Sequence, residues 1–413
     1  MNALAERYVR LVLAVGEHDA GYVDAYYGPE PWREDAARAS VSLADLAATA
    51  GELCAEAETA SAAPCDDELE ALRCEYLHRQ LAAVSARIHL LRGAAMTFDE
   101  ESKALYDAVA PSYPDAYFAE VLDELDGCLP GTGPLIERYD IFRSAFVIPA
   151  DRLEAVFARA IAEGRARTLK HIALPDGEEF VVEYVTDKPW SGYNWYHGRY
   201  RSVIQVNTDL PTYVDRAVDL ACHEGYPGHH VYNALLEQTL VRDRGWIEFT
   251  VYPLFSPQSL IAEGTANYGI DITFSRAERV AFEREALFPI AGLEPRQADD
   301  YYAVQGLVDR LAYAGNEAAR RYLNGEIDRA DAIEWLTRYA MMSPARADQR
   351  TRFFDVYRSY VINYNLGKDL VRDFIEAEAG ADVGRRWAAF ARLLSSPRLP
   401  SGLRPPPEPR GVA

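Results

Sequence analysis

The stretch "DLACHEGYPGHHVYNAL" (residues 219–235) places three of the chain's eight histidines within eight residues. It begins with His223 and Glu224, as the helix of a zinc protease does. In the regular pattern H-E-x-x-H, a second histidine four residues after the first also binds the metal. Pro227 occupies that position here, and the next histidines stand at 229 and 230. The stretch therefore predicts a metal site with a spacing of its own.

Helix geometry shows why the spacing matters. On an unbroken helix, His229 would lie about 240° from His223, on the opposite side, and His230 about −20° from it but roughly 10.5 Å along the axis. Pro227 opposes such a helix because its ring clashes with the carbonyl four residues back, and the flanking glycines relax the backbone. A two-residue excursion brings His229 to the place of the regular second ligand. A kink that keeps the helical phase selects His230 instead.

A third ligand is expected on a neighbouring helix. The segment "SPQSLIAEGTANYGID" (256–271) begins with Ser and Pro, the residues favoured at the start of a helix. It supplies Glu263 and, one turn later, Asn267. A ligating histidine usually donates its other ring N–H to an oxygen, and the Asn267 side chain offers one. We predict Glu263 as a ligand and Asn267 as the residue that orients a ligand histidine.

These residues together predict a hydrolytic zinc site. Such a site holds one ion with three protein ligands and keeps a position open for water. His223, His229 and Glu263 would be the ligands, with His230 as the alternative to His229. A carboxylate beside the metal takes the proton of the attacking water, and Glu224 is placed for that role. The competing interpretation is a cluster of structural histidines without metal.

Tyrosines on a late helix are candidates for a second catalytic role. A metallohydrolase needs a donor for the negative oxygen that forms on the substrate carbonyl. The segment "VYRSYVINYNLGKDL" (356–370) carries Tyr357, Tyr360 and Tyr364 at helical spacing, with Gly367 interrupting the pattern. We predict Tyr360 or Tyr364 as the donor. The competing interpretation is an aromatic stripe that packs in the core.

Two β-rich runs, residues 180–185 and 202–207, predict a small antiparallel sheet within about 178–208. The second run, "VIQVNTDLP", is a candidate edge strand along which an extended peptide could pair. Asn207 and the upstream His197 are then candidate substrate contacts. The competing interpretation for both is an ordinary strand or loop residue.

The remainder of the chain is predicted to be helical. Residues 1–130 form an N-terminal helical region, residues 131–395 contain the sheet and the metal-binding helices, and residues 396–413 form a proline-rich tail. The alternative is one compact domain overall. The N-terminal segment "ALAERYVRLVLAVG" is typical of an amphipathic helix rather than a secretory signal.

The composition and charge limit the classes of partner that we expect. The chain has 413 residues and a net charge of −21, so a nucleic-acid partner is not expected, because phosphate binding needs a basic surface. No uncharged apolar run reaches the length of a membrane span. Five irregularly spaced cysteines predict neither a disulfide scaffold nor a thiolate metal site and favour a cytoplasmic location. Oligomeric state is not predicted.

The motif "HEGYPGHH" (223–230) resembles the H-E-x-x-P-G-H-H signature of the family catalogued as domain of unknown function 885, which is grouped with the gluzincin-type metallopeptidases. The resemblance covers roughly residues 175–370. It implies a large, mainly α-helical metallopeptidase fold with a small antiparallel sheet beside the metal. Gluzincins commonly carry an aspartate four residues after the ligating glutamate, whereas this chain has Asn267.

The sequence thus predicts a zinc-dependent hydrolase that cleaves peptides by means of an activated water. Two alternatives remain open. The first is a zinc hydrolase that uses the same centre on a non-peptide amide or ester. The second is a catalytically silent descendant that serves as a binding scaffold, although every predicted ligand and the predicted base are present.

Overall fold

A computed structural model describes residues 1–188, 190–209 and 211–403. The chain is mainly helical with two small sheets, so the predicted fold class is confirmed. The helices, in chain order, are α1 (Asn2–Gly16), α2 (Glu30–Ala39), α3 (Leu43–Ser61), α4 (Glu68–Leu91), α5 (Phe98–Tyr106), α6 (Asp115–Cys128), α7 (Leu135–Ser144), α8 (Leu153–Thr168), α9 (Val214–Leu220), α10 (His229–Leu236), α11 (Pro257–Thr273), α12 (Arg276–Phe282), α13 (Phe288–Ala291), α14 (Ala298–Arg310), α15 (Ala314–Leu323), α16 (Arg329–Tyr339), α17 (Pro344–Tyr357), α18 (Ile362–Ala379) and α19 (Val383–Leu394).

The strands form two separate sheets. They are β1 (Val23–Tyr26), β2 (Glu179–Val185), β3 (Gly192–Tyr196), β4 (Arg201–Asn207) and β5 (Val251–Pro253). Strands β1 and β5 pair in antiparallel fashion across more than 200 residues of chain. The other sheet has the order β2-β4-β3. The two predicted β-rich runs correspond to β2 and β4. Strand β3, which lies between them in the chain, was not predicted.

The pairing within the three-stranded sheet corrects two predictions. Strands β2 and β4 run parallel, with Val181 opposite Val203, and only β3 is antiparallel to β4, so the sheet is mixed rather than antiparallel. Because β4 lies between two partners, its backbone is paired on both sides. The prediction that β4 is the edge strand for a substrate is therefore wrong. The edge next to the candidate metal centre is β3.

Helix α11 crosses α18 at close range near the centre of the structure. A methyl group on Gly264 would lie 2.5 Å from backbone atoms of Gly367, and one on Gly367 would lie 2.7 Å from the carbonyl oxygen of Leu260. Two glycines are needed for this approach, because any side chain would push the helices apart. Gly367 therefore does not interrupt a helix, as its residue type suggested, but lies inside α18 at the crossing.

The largest cluster of buried apolar side chains draws on α1, α3 and α4 as well as on α10, α11, α18 and α19. A second cluster joins α8, α9, α14 and the end of α11. Of the predicted tail, Pro400–Leu403 form a 3₁₀ turn with Leu403 buried, and residues 404–413 lie outside the described residues. Within the described part, no helix is both long enough and apolar enough to cross a bilayer.

Candidate metal centre

The motif helix breaks where its proline and glycines predict. Helix α9 continues into a π-helical turn, Ala221–Gly225, and the chain then becomes extended at Tyr226 before α10 starts at His229. The N–H of Gly228 donates to the carbonyl of Cys222 at 2.8 Å. A Cβ at position 228 would lie only 1.9 Å from the carbonyl oxygen of His223, so glycine is required for the chain to fold back here.

This break brings three side-chain atoms together. The Nε2 atoms of His223 and His229 lie 3.2 Å apart. The Oε2 atom of Glu263 lies 3.4 Å from the first of these nitrogens and 3.8 Å from the second. Metal–ligand bonds of about 2.0–2.2 Å at tetrahedral angles would separate ligand atoms by about 3.3–3.6 Å. The three distances fit ligands that surround one small metal ion.

One oxygen of the Glu263 carboxylate is hydrogen-bonded to the protein, and the other has no hydrogen-bond partner among the described residues. Its Oε1 accepts a hydrogen bond from the hydroxyl of Tyr360 at 2.9 Å. Its Oε2 is buried and has no hydrogen-bond partner among the described residues. A buried carboxylate oxygen without a partner costs free energy unless a cation binds it. The unpartnered oxygen is the one that faces the two histidines.

Glu224 lies beside the same atoms, with its Oε1 4.0 Å from Nε2 of His223. Both His residues and Glu224 have ligand atoms within 4.8 Å of one another, so either glutamate is near enough to a metal. The pKa values of the two glutamates differ and distinguish their roles. Burial, followed by the charge of Glu263, raises the pKa of Glu224 to about 7 against the attraction of His223. Burial also acts on Glu263, but the facing His223 and His229 and the Tyr360 hydroxyl outweigh it and lower its pKa.

Opposed pKa shifts in neighbouring carboxylates indicate different roles. The anionic Glu263 suits a ligand, and Glu224, which titrates near neutral pH, suits a general base. Burial and the charge of His223 lower the pKa of His229 to about 4, so this imidazole is neutral and able to ligate. For His223, burial lowers the pKa, but Glu263 and Glu224 outweigh it and raise the value in the metal-free protein.

His230 points away from these atoms. It is completely buried, and both of its ring nitrogens have partners. Its Nδ1 lies 2.9 Å from the hydroxyl of Ser202, and its Nε2 lies 3.0 Å from a carboxylate oxygen of Glu178. A histidine whose two nitrogens are hydrogen-bonded to the protein has no atom left for a metal. Of the two histidines that the sequence left open, the geometry brings His229 to the candidate centre.

Asn267 lies one turn beyond Glu263 and lines the cavity, but its hydrogen bonds differ from those predicted. Its amide nitrogen donates to the backbone carbonyl of Glu263 at 3.0 Å and to that of Tyr364 at 3.4 Å. Within the described residues, no hydrogen bond joins Asn267 to a histidine ring. The side chain instead ties α11 to α18 beside the centre.

The predicted tyrosines all face one cavity, although they do not lie on a single helix. Tyr357 ends α17, Tyr360 lies in a 3₁₀ turn and Tyr364 is in the first turn of α18. The Tyr360 hydroxyl is bound to Glu263. The Tyr364 hydroxyl has no hydrogen-bond partner within the described residues. Burial and the charge of Glu263 raise the pKa of Tyr364, so its hydroxyl is protonated and can donate.

The two predicted substrate contacts have different positions. Asn207 lines the cavity at the end of β4, where its amide donates to the carbonyls of Lys188 and Trp190 at 2.9 and 3.0 Å. This bonding braces the loop before β3. His197 lies in the exposed turn from β3 to β4, outside the cavity.

Sequence reasoning missed the residues of β3 and one acid from the N-terminal region. A Cβ at Gly192 would lie 3.0 Å from Oε1 of Glu224, and the Asn194 amide donates to the backbone carbonyl of Glu224 at 2.8 Å. Asp24, on β1, accepts a hydrogen bond from the Tyr193 hydroxyl and lines the same cavity. Burial, followed by the charges of Glu263 and Glu224, raises the pKa of Asp24 to about 7. A glycine among aromatic residues and a lone aspartate carry no local signature of a site.

The candidate centre lies at the wall of a large cavity of about 1260 Å³. Helices α9, α11, α17 and α18 and strand β3 contribute to its lining. Sites for small ligands usually have about 300–1,000 Å³. The cavity is therefore large enough for a ligand that extends well beyond the metal ligands.

No protein-family profile and no curated protein match the chain. Solved structures do share its architecture. A protein from Colwellia psychrerythraea, described as a lipoprotein, is 14% identical with a TM-score of 0.51, covering 87% of this chain and 71% of that one. An M32 carboxypeptidase from Deinococcus radiodurans R1 is 13% identical with a TM-score of 0.49 (95% and 88% covered). A carboxypeptidase from Pyrococcus furiosus is 12% identical with a TM-score of 0.48 (95% and 89% covered). At these identities the likeness concerns the fold, and the resemblance to domain of unknown function 885 stays a prediction.

Proposed function

We propose that this protein is a zinc-dependent hydrolase that cleaves peptide bonds. One observation carries the proposal: two imidazole nitrogens and a carboxylate oxygen of Glu263 converge at 3.2–3.8 Å, and that buried oxygen has no hydrogen-bond partner in the described part of the chain. A set of two histidines and one glutamate is a donor set that catalytic zinc prefers.

His223, His229 and Glu263 would hold the ion. Zinc there would supply Lewis acidity to a water molecule and to the substrate carbonyl. Tyr360 acts as a positioning residue, because its hydroxyl fixes the orientation of the Glu263 carboxylate. The break at Pro227 and Gly228 fixes the place of His229 relative to His223.

Glu224 moves the protons. With a pKa raised to about 7, it takes the proton of the attacking water near neutral pH and then gives it to the leaving amine. The Tyr364 hydroxyl is the proposed donor to the negative oxygen of the substrate, because it is protonated and unpartnered. Tyr360 is less suited to that role, since Glu263 already occupies its hydroxyl.

The substrate would lie along β3. An edge strand offers its free backbone groups to an extended peptide, which adds to the sheet. Strand β3 is such an edge and borders Glu224 through Gly192 and Asn194. Gly192, Tyr193 and Asn194 line the cavity, so this edge borders the space that a peptide would occupy.

The proposal is tested by measuring bound metal and peptide hydrolysis in the same samples. The native chain should contain about one zinc per molecule by mass spectrometry of the metal and should cleave members of a peptide library. Glu224→Gln should keep the zinc and lose the hydrolysis. A native protein without zinc, or a fully active Glu224→Gln variant, would overturn the proposal. Cleavage of non-peptide amides or esters alone would replace the substrate class but keep the mechanism.

A further inference from the structure

The cavity wall beyond the candidate centre carries a group of arginines. Arg143 comes from α7, Arg216 from α9, and Arg346 and Arg350 from α17, and all four line the cavity. Carboxylates also line this cavity, so the question is which of these arginines they neutralise. We refer to Arg346 and Arg350 as the arginine pair.

The arginine pair differs from several other arginines of the cavity, which are bound to carboxylates. Arg372, for example, binds Asp369 at 2.7 Å and Asp373 at 2.9 Å. Within the described residues, neither Arg346 nor Arg350 has a carboxylate within ion-pair distance, and the buried Nε of Arg350 has no hydrogen-bond acceptor. The Arg350 guanidinium instead lies 4.5 Å from the ring centre of Phe353.

Like charges surround this pair. Deep placement among protein atoms lowers the pKa of Arg346 to about 10, with further lowering by the charges of Arg216, Arg143 and Arg350. Arg346 is nevertheless open to the water of the cavity. Repulsion among cations that are reachable but unpaired is relieved when an anion binds, and arginine forks match the two oxygens of a carboxylate.

The pair lies beside the proposed catalytic residues. The Arg350 guanidinium is 5.9 Å from the Tyr364 ring, whose centre is 5.8 Å from that of Tyr360, which in turn binds Glu263. The positive charge of Arg216, which lines the same cavity, acts to lower the pKa of Glu224. The Arg350 guanidinium therefore borders Tyr364, the residue proposed to contact the substrate carbonyl.

We propose that Arg346 and Arg350 form a subsite for a carboxylate of the substrate. This inference rests on the proposed peptidase function and specifies its substrate class. Two parts of a peptide carry the required chemistry: the C-terminal carboxylate and the side chain of an aspartate or glutamate. In the first case the protein removes residues from the C terminus, and in the second it selects acidic peptides.

Binding to the full-length Glu224→Gln variant, loaded with zinc, tests the subsite without turnover. Three peptides of one length are compared by calorimetry: a neutral peptide with a free C terminus, the same peptide amidated, and an amidated peptide with one glutamate. Removing one partner of a charge pair that is buried on binding typically weakens binding by about 30- to 5,000-fold. We expect the free-acid or the glutamate peptide to bind tighter than the neutral amide by that factor, and the tighter one identifies the source of the carboxylate.

Arginine variants in the same background assign the effect to residues. Arg346→Gln and Arg350→Gln should each reduce the preference for the carboxylate by at least 10-fold, and Arg350→Lys should restore part of it. Arg372→Gln, which changes a paired arginine of the same cavity, should keep the full preference. Circular dichroism confirms folding of each variant. Equal binding of all three peptides, or an undiminished preference in both Gln variants, would overturn the inference.

The two proposals fail separately. A native protein that binds zinc and cleaves peptides but does not distinguish acid from amide retains the proposed function and loses the subsite. A protein without hydrolysis that still prefers carboxylate peptides through Arg346 and Arg350 retains the subsite and loses the proposed function.

Discussion

His229 and His230 are consecutive residues with opposite surroundings. The His229 side of the helix has a carboxylate, Glu263, whose inner oxygen has no partner, and the side opens into a cavity. The His230 side has a carboxylate, Glu178, that accepts hydrogen bonds from Tyr226 at 2.7 Å and Arg165 at 2.7 Å in addition to His230. We call these the open side and the closed side.

The difference shows how a site for an added ion is distinguished from a structural network. On the closed side, the protein satisfies its own polar atoms, and the network needs nothing else. On the open side, ligand atoms converge around one buried oxygen that has no hydrogen-bond partner among the described residues, an arrangement that a bound cation would complete. Each side has a histidine, a glutamate and a tyrosine, so matched substitutions can compare them directly.

The largest contrast is expected between the two glutamates in catalysis. Glu224→Gln should lower kcat by about 10²–10⁴-fold, because it removes the proposed general base while leaving the zinc ligands in place. Glu178→Gln should leave kcat within a few-fold of the native value, since Glu178 is on the closed side. Steady-state hydrolysis of one peptide, with zinc content measured alongside, checks both. Equal losses of kcat in the two variants would contradict the division of roles.

The next contrast concerns the two histidines and the metal. A zinc site contributes about 10–16 kcal/mol in small structural domains, so one of its ligands is worth roughly 3 kcal/mol. His229→Ala should therefore weaken zinc binding by at least 10²-fold. His230→Ala should keep its zinc and instead lower the free energy of unfolding by about 2–4 kcal/mol, because it removes a buried side chain, one of three hydrogen bonds to Glu178 and the side-chain partner of Ser202.

Competition with a chelating dye measures the zinc affinity, and urea unfolding of the metal-free proteins measures the stability. The assignment is wrong if His230→Ala loses zinc and His229→Ala retains it.

The predictable part of this centre is the part that local chemistry controls. Pro227 opposes a regular helix and Gly228 relaxes the backbone, so a break between the histidines could be predicted from the sequence. Glu263 could be predicted as a ligand from its position on the next helix. The choice between His229 and His230 depended on how the chain re-enters the helix. That register is set by the backbone bond from Gly228 to Cys222 and by the partners of His230 across the sheet, which the sequence does not display.

The unpredicted part depends on contacts between distant segments. Asp24 reaches the cavity because β1 pairs with β5, more than 200 residues later, and no pattern near residue 24 announces this. Strand β3 was missed because its Gly and aromatic residues lack the alternation of a half-buried strand. The order β2-β4-β3 could not follow from strand propensity either, since propensity does not specify neighbours. Gly367 was misread because a helix crossing and a helix break both use glycine.

Glu224 and Glu178 should also affect the pH dependence of stability with opposite signs in the metal-free protein. Burial and the charge of Glu263 raise the pKa of Glu224 to about 7 from an ordinary value of 4.5, so its stabilising effect exists below pH 4.5 and is lost as the pH rises through 7. Burial opposes ionisation of Glu178 too, but its three hydrogen bonds lower its pKa, so its stabilising effect exists above pH 4.5 and is lost on acidification.

Two variants separate these contributions. At pH 8, metal-free Glu224→Gln should be more stable than the native protein, by about 3–4 kcal/mol at one pKa unit per ~1.4 kcal/mol, and the gain should vanish near pH 4.5. Glu178→Gln should be less stable at pH 8, with a deficit that shrinks below pH 4.5. Urea unfolding across this range gives both curves, and slopes of the same sign would refute the contrast.

The smallest contrast rests on a single hydroxyl on each side. Tyr360 donates to Glu263 at 2.9 Å, and Tyr226 donates to Glu178 at 2.7 Å. Partners that orient a metal ligand typically change metal affinity by about 10- to 100-fold. Tyr360→Phe should therefore weaken zinc binding by about 10-fold, whereas Tyr226→Phe should keep the zinc affinity and lower the free energy of unfolding by about 1–2 kcal/mol.

The two phenylalanine variants test whether the difference between the open and closed sides extends to the tyrosines that bind their carboxylates. If only Glu263 is a ligand, a hydroxyl that fixes its carboxylate acts on the metal, and the equivalent hydroxyl on Glu178 acts on folding alone. Zinc competition and urea unfolding of both variants provide the comparison. A tenfold loss of zinc affinity in Tyr226→Phe would mean that the closed side supports the metal as well, and that His230 affects the centre through Glu178.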